Sequence, residues 1–161
     1  MRILVVSDTH RYNNNLYKVI ESLGKLDMVI HCGDAEGTEE QIRAKLNCPM
    51  CIVEGNNDYY SNLPKEAFFE AEGKKIYVTH GHYHHVNMGT ERLISEAQKK
   101  GADIVIFGHT HCPKMEKKDG IVVLNPGSIS YPRQMDRKPT YIVIESDNNG
   151  NMRYTLNYVK R

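Results

Sequence analysis

Short apolar runs alternate with helical patterns over the first third of the chain. Strands are predicted for "RILVVS" at residues 2–7, "DMVIHC" at 27–32 and "MCIVEG" at 50–55, because continuous apolar runs are typical of strands buried on both faces. Between them, apolar residues recur at helical spacing over residues 14–25, and a second helical pattern covers residues 38–47. This alternation favours a parallel sheet with right-handed crossovers.

The remainder of the chain mixes hairpins with one more helix and one more buried strand. Hairpins are predicted over residues 67–81, over 113–128 around Asp119-Gly120, and across 139–159. An amphipathic helix is predicted over residues 90–101, followed by a buried strand over 103–107. No linker or repeat interrupts the pattern. We therefore expect a single domain over residues 1–161, with one mostly parallel sheet, one mixed or antiparallel sheet, and helices outside.

The charge balance narrows the classes of partner. The 161 residues contain 21 Lys and Arg against 20 Asp and Glu, a net charge of +1, so no bulk basic field recruits nucleic acid, although a local basic cleft is compatible with this balance. No stretch approaches the roughly 18–20 apolar residues of a membrane helix, and the apolar run at the start is too short for a signal peptide. The expected location is cytoplasmic, away from the membrane.

Four cysteines raise a separate question of redox or zinc chemistry. Cys48 and Cys51 form a C-x-x-C pair, which fits either a redox dithiol or half of a zinc knuckle. No second C-x-x-C accompanies it, and the pair leads into a predicted strand. Buried or half-buried thiols are therefore the favoured interpretation.

Polar residues that can bind metal follow five of the predicted strands. The strand ends carry Asp8-Thr9-His10, Gly33-Asp34, Gly55-Asn56-Asn57-Asp58, His80-Gly81-His82 and Gly108-His109-Thr110-His111. Each motif alone is common in ordinary loops. The carboxyl ends of parallel strands share one edge of a sheet, however, so all five motifs are expected to meet there. The sequence therefore predicts a metal centre at this edge.

These motifs, in this order, resemble those of the calcineurin-like metallophosphoesterase superfamily. The short chain, with "NPGSISYPR" after the last motif, is similar to the small YfcE-like phosphodiesterases. The resemblance runs from Met1 to about residue 145. It implies an α/β fold, a four-layer αββα sandwich of two mixed β-sheets flanked by helices, with two divalent metal ions at the rim.

The resemblance also implies which residues bind the metals. Asp8, His10 and His111 would hold the first ion, Asn56, His80 and His109 the second, and Asp34 would bridge both. Imidazole ligands suit Mn, Ni, Fe, Co or Zn better than Mg or Ca. Two such ions can activate a shared water, so the expected activity is hydrolysis of a small-molecule phosphate ester, most consistently a phosphodiester.

Three further residues are candidates for a catalytic role. Asn57 occupies the position where many larger relatives carry a histidine that protonates the leaving group, and an amide cannot donate that proton. His82 could contact phosphate or donate a proton, or it could bond a loop carbonyl instead. Arg133 could reach a substrate phosphate or lie on the surface. The asparagine favours esters whose leaving group needs little protonation.

Other functions remain open on the same fold. A retromer subunit of the superfamily uses the fold as a binding scaffold with a degraded metal site, whereas every ligand position is filled here, which favours the enzyme. A phosphatase or a nuclease fits the chemistry, but the chain has no added recognition domain and no basic excess. The sequence does not decide whether copies of the chain associate into a homo-oligomer.

Overall fold

The computed structural model describes residues 1–160. Ten strands form two five-stranded sheets. The strands are β1 (Arg2–Val6), β2 (Met28–His31), β3 (Met50–Ile52), β4 (Glu66–Ala71), β5 (Lys74–Thr79), β6 (Ile104–Ile106), β7 (Pro113–Lys118), β8 (Ile121–Pro126), β9 (Thr140–Ser146) and β10 (Met152–Tyr158). The helices are α1 (Asn14–Leu23), α2 (Glu39–Arg43) and α3 (Glu91–Lys99), and two 3₁₀ turns cover His82–His84 and Val86–Met88.

Both sheets are mixed. The first has the strand order β10-β9-β1-β2-β3, and the second has the order β4-β5-β6-β8-β7. In the second sheet β5, β6 and β8 run parallel, with antiparallel strands at both edges. The expectation of a mostly parallel first sheet is wrong, because the C-terminal hairpin of β9 and β10 adds two antiparallel pairings beside β1.

Three apolar clusters separate four layers of secondary structure. The middle cluster lies between the sheets and includes Val5 and Ile30 from the first sheet with Ile76 and Ile106 from the second. The outer face of the first sheet packs against α1 and α2. The outer face of the second sheet packs against α3. The layers follow the order α-β-β-α, which confirms the predicted fold class.

Two elements are shorter than their sequence patterns predict. Helix α2 ends at Arg43 rather than near residue 47, since Ile42 is the one residue it buries. Strand β3 ends at Ile52, where its pairing with β2 stops at His31. The residues released from β3 begin the loop that carries Asn56.

The cysteines lie as the sequence suggests. Cys48 and Cys51 are half-buried and Cys32 is fully buried, and all four cysteines are free thiols. Among residues 1–160, no helix has the length and apolar character needed to cross a membrane.

Candidate metal centre

All seven candidate ligands lie immediately beyond the carboxyl ends of parallel strands. The first sheet contributes Asp8 and His10 after β1, Asp34 after β2 and Asn56 after β3, and the second contributes His80 after β5 with His109 and His111 after β6. The rims of the two sheets adjoin, so the structure brings these side chains together in one cluster.

Two carboxylates lie at the middle of the cluster. Asp34 Oδ2 is 3.7 Å from His10 Nε2 and 3.5 Å from His80 Nε2. Asp8 Oδ1 is 3.2 Å from His111 Nε2 and 4.0 Å from His80 Nε2. His10 and His111 approach each other, with their Nε2 atoms 3.2 Å apart. Both carboxylates are almost fully buried, so they face the imidazoles rather than solvent.

A second group of donors lies on the opposite side of Asp34. Asn56 Oδ1 is 3.0 Å from His80 Nε2 and 2.8 Å from His109 Nδ1. His109 Nε2 lies 2.9 Å from the side-chain amide of Asn87. The cluster therefore has two poles, with His10 and His111 at one and Asn56, His80 and His109 at the other.

The backbone at the strand ends is locally unusual. Five candidate ligands have positive φ angles between 45° and 68°: Asp8, His10, Asp34, His109 and His111. This left-handed conformation costs a non-glycine residue about 1–3 kcal/mol and is concentrated at functional sites. Gly55 is needed for a different reason, because a Cβ there would overlap the Asp34 carboxylate and backbone nitrogen.

Hydrogen bonds at the remote ring nitrogen fix three of the imidazoles. The Nδ1 atoms of His10, His80 and His111 each lie 2.6 Å from an oxygen, namely Glu36 Oε1, the Cys32 carbonyl and the Tyr131 carbonyl. A carbonyl or carboxylate oxygen can only accept, so Nδ1 carries the proton in each ring. Nε2 is therefore the ring nitrogen that faces the carboxylates, and in the neutral ring its lone pair is available to a metal ion.

Asn57 and Asp58 hold the loop after β3 against the Asp34 segment. The backbone and side-chain amides of Asn57 donate to the two oxygens of the Asp34 carboxylate, each at 2.8 Å. Asp58 accepts from the backbone amides of Asp34, Glu36 and Gly55 at 2.6–2.8 Å. Asn57 therefore orients a central carboxylate.

The carboxylates of Asp8 and Asp34 and the imidazole of His80 shift one another's pKa values toward the charged forms. Burial alone would raise the pKa of Asp8, but contact with His111 and the charge of His80 lower it below its usual value. Burial opposes ionisation of Asp34 as well, yet bonding to His80 and Asn57 holds its pKa well below the usual range. Burial would lower the pKa of His80, and both carboxylates raise it instead. Asp8 and Asp34 are consequently ionised at neutral pH.

The donor set fits divalent metal ions. Asp8 Oδ1 is buried and has no hydrogen-bond partner, although three imidazole nitrogens lie within 4.0 Å of it. Two triads converge closely enough to share an ion, Asp8 with His10 and His111, and Asp8 with Asp34 and His80. An unpartnered buried carboxylate oxygen is costly in the absence of a cation. Mixed imidazole, carboxylate and amide donors suit transition metals.

His82 lies beside the second pole, and Arg133 lies beside the first. The centroids of the His82 and His80 rings are 5.3 Å apart. His82 Nδ1 is buried and has no hydrogen-bond partner, so this atom does not make the bond to a loop carbonyl that the sequence left open. Burial lowers the pKa of His82 to about 4, and the charges of His80 and His109 add to this effect. Arg133 is exposed, and its backbone amide donates to the carbonyl of His111.

Two open clefts flank the cluster. One, of about 430 Å³, is lined by His10, His111, Tyr131, Pro132, Arg133 and Arg137. The other, of about 360 Å³, is lined by Glu54, Gly55, Asn56, Asp58, Tyr59, Tyr60, His82 and Tyr83. Each cleft therefore reaches one pole, and the carboxylates lie between them.

Sequence reasoning missed two residues whose side chains bond the imidazoles of candidate ligands. Glu36 bonds His10, and Asn87 bonds His109. Glu36 follows Asp34 by two positions, and that spacing was a weak signal for a shared site. Asn87 lies in a 3₁₀ turn that no periodicity indicates.

A buried carboxylate pair surrounded by imidazoles, at the rim of an αββα sandwich, is a candidate metal centre of the metallophosphoesterase type. The chain belongs to the calcineurin-like phosphoesterase superfamily, whose domain profile matches residues 1–149. Members of this family use divalent metals. The match confirms the family that the five motifs indicated.

Individual relatives agree with this assignment. The chain is 33% identical over 149 residues to the probable metallophosphoesterase YsnB of Bacillus subtilis, covering 92% of this chain and 86% of that protein. It is 32% identical over 145 residues to the phosphodiesterase MJ0936 of Methanocaldococcus jannaschii, covering 79% and 83% respectively. A crystal structure of a Vps29 single mutant from Entamoeba histolytica has a TM-score of 0.79 at 23% identity, covering 99% of this chain and 100% of that one, a likeness of fold alone.

Proposed function

We propose that this chain is a metal-dependent phosphodiesterase that acts on small phosphate esters with two divalent transition-metal ions, drawn from Mn, Ni, Fe, Co and Zn. The observation that carries the proposal is the buried, unpartnered Asp8 Oδ1 at the point where imidazole nitrogens converge. The similarity to the phosphodiesterase MJ0936 supports the same reaction class.

The two poles of the cluster suggest how the ligands divide. Asp8, His10 and His111 would hold one ion, and Asn56, His80 and His109 would hold the other. Asp34 would contribute to both, which its near-equal Oδ2 distances to His10 and His80, 3.7 and 3.5 Å, support. Asn56 supplies a neutral oxygen, so the centre stays cationic enough to attract an anionic ester.

The chain's own residues orient the Asp34 carboxylate and determine whether the leaving oxygen can be protonated. Bound ions of this kind acidify a water and offset charge on the phosphoryl oxygens. Asn57 keeps the Asp34 carboxylate in one orientation and has no proton to give the leaving oxygen. His82 lines one of the clefts, but its pKa is lowered to about 4, so at neutral pH its imidazole is uncharged and serves as a proton acceptor rather than a donor.

A diester fits the surroundings better than a monoester. The two clefts lie on opposite sides of the carboxylates, one for each ester arm. A diester also presents one negative charge to the centre where a monoester presents nearly two, so a monoester resembles a tightly bound product. Without an acid at Asn57, esters with acidic leaving groups are favoured.

The main alternative is a scaffold without catalytic activity, and Vps29 shares the fold. The intact cluster, with its hydrogen-bonded imidazoles, favours the enzyme. A surface that only binds partners has no need for a buried, unpartnered carboxylate oxygen.

The test combines metal analysis with paired substrates. The protein is purified without chelator, analysed for metals, stripped, and reconstituted with each candidate ion. We expect two ions per chain and faster hydrolysis of bis-p-nitrophenyl phosphate than of p-nitrophenyl phosphate. A single ion or none at saturating Mn contradicts the two-metal site, and an inactive but folded and metal-loaded protein supports the scaffold.

A further inference from the structure

The cleft at the first pole carries positive charge that the catalytic cluster does not use. Arg133 and Arg137 both line this cleft together with His10 and His111. Neither arginine forms an ion pair within the part of the chain that the structure describes, whereas the neighbouring Arg11 is engaged by Glu36. Two unpaired guanidinium groups beside a metal centre form an anion-binding surface.

The loop that carries the arginines is ordered by its own contacts. The backbone amide of Arg133 donates to the His111 carbonyl at 3.1 Å, which ties the loop to a candidate metal ligand. Arg137 has a positive φ of 50°, and its guanidinium donates to the Pro132 carbonyl at 3.5 Å. The Gln134 side chain closes the loop onto the Lys138 carbonyl at 2.6 Å. The arginines are therefore presented by a closed turn beside the cluster.

The opposite cleft has the reverse electrostatic character. Its lining contains the acidic Glu54 and no lysine or arginine, three tyrosines form much of its wall, and the carboxylate of Asp58 is buried against three backbone amides. A diester bound across the cluster therefore meets a cationic cleft on one side and an acidic, aromatic cleft on the other. This asymmetry orients a substrate whose two arms differ in charge.

We propose that Arg133 and Arg137 form a subsite for a second phosphate group, carried on one ester arm of the substrate. This assignment rests on the proposed phosphodiesterase activity. The substrate class is then a phosphodiester with one phosphorylated arm, which lies along Tyr131, and one uncharged arm in the opposite cleft. Bidentate guanidinium contacts to phosphate oxygens provide the selectivity.

Two matched substrates isolate the subsite. Both are p-nitrophenyl phosphodiesters, one with a propyl second arm and one with the same arm ending in a phosphate. The leaving group is identical, so a difference in kcat/KM reports on the remote phosphate. We expect the phosphorylated substrate to be preferred at least tenfold in the metal-loaded enzyme, with the preference declining as salt increases.

Variants assign this preference to the arginines. Arg133→Met and Arg137→Met should each reduce the ratio of the two kcat/KM values about threefold, and the double variant should bring it near one. Arg137→Lys should retain only part of the preference for the phosphorylated substrate. Lysine keeps the positive charge but cannot make the bidentate hydrogen bonds of a guanidinium group. Arg92→Met, on the exposed face of α3, is the matched control and should leave the ratio unchanged.

The outcomes separate this proposal from the proposed function. If both esters are cleaved but the ratio is near one, or is unaffected by the arginine variants, the subsite is refuted and the phosphodiesterase stands. If neither ester is cleaved with any metal, the proposed function fails. In that case, calorimetry measures how tightly the metal-loaded protein binds propane-1,3-diyl bisphosphate and propyl phosphate. This comparison tests the subsite without catalysis, and equal affinities overturn it.

Discussion

Asp34 contacts candidate ligands at both poles and the asparagine that orients its carboxylate. Its carboxylate lies between His10 and His80 and accepts two hydrogen bonds from Asn57. Replacing it removes a carboxylate that faces imidazoles of both poles. Substituting a residue at a single pole should reduce activity less than substituting Asp34.

We expect Asp34→Asn to reduce kcat more than His82→Gln does. General acid–base assistance contributes about 10²–10⁴-fold, which bounds the effect of His82, whereas loss of the shared carboxylate weakens both metal sites. Steady-state rates at saturating metal test the order. An Asp34→Asn enzyme with near-wild-type rate would refute a shared carboxylate.

Glu36 acts through the imidazole of His10. A carboxylate that accepts from the remote nitrogen of a ligating histidine fixes its tautomer and raises its basicity, and losing it typically weakens metal binding about 10–100-fold. We expect Glu36→Gln to weaken one of the two metal sites by about that factor, as measured by calorimetric metal titration. Glu40→Gln on α2, where Glu40 pairs with Arg43 on the same helix, serves as the control. Equal affinities for both variants would remove Glu36 from the site.

At the scale of the elements, Gly55 sets how closely the loop after β3 approaches the loop after β2. Gly55→Ala places a methyl group against the Asp34 carboxylate, so the loop must shift, and we expect metal affinity to fall at least about tenfold. Gly73→Ala in the β4–β5 turn meets no atom within 4 Å and only strains a positive φ of 70°. It should cost about 1–3 kcal/mol of stability and leave metal affinity unchanged. Equal metal affinities in the two variants would contradict this account.

The ends of the buried strands were predictable, because apolar β-branched runs stop abruptly at polar residues. That signal located Asp8, Asp34, His80 and His109, and their shared edge followed from parallel pairing. The C-terminal hairpin was predicted as a hairpin, but its position beside β1 depends on long-range packing that local pattern does not encode. Likewise, the contact between Asn57 and Asp34 joins loops 23 residues apart, and no periodicity reports on it.

At the scale of the molecule, the ligands come from both sheets. Metal binding would therefore tie the two halves of the sandwich together at one rim. An ion that binds only the folded state raises the free energy of unfolding by about 2.7 kcal/mol when its free concentration is a hundred times its dissociation constant.

We expect Mn to slow amide hydrogen exchange at the strand ends of both sheets together. The amides of His10 and Gly108, which bond across loops near the cluster, are suitable reporters. Amides at the far hairpin of β9 and β10 serve as the reference. Protection confined to one sheet would show that the ions do not join the sheets.

The strand order has a consequence for how the chain emerges from the ribosome. The second sheet occupies one continuous stretch, residues 66–126, so it can assemble soon after that stretch is synthesised. The first sheet must wait, since β1 pairs with β9 across the register Arg2 to Glu145. At about 5–20 residues per second, β1 keeps one open apolar edge for several seconds. The nascent chain is therefore most exposed to misassociation while the stretch between β2 and β9 is translated, and a chaperone that shields β1 would act in that interval.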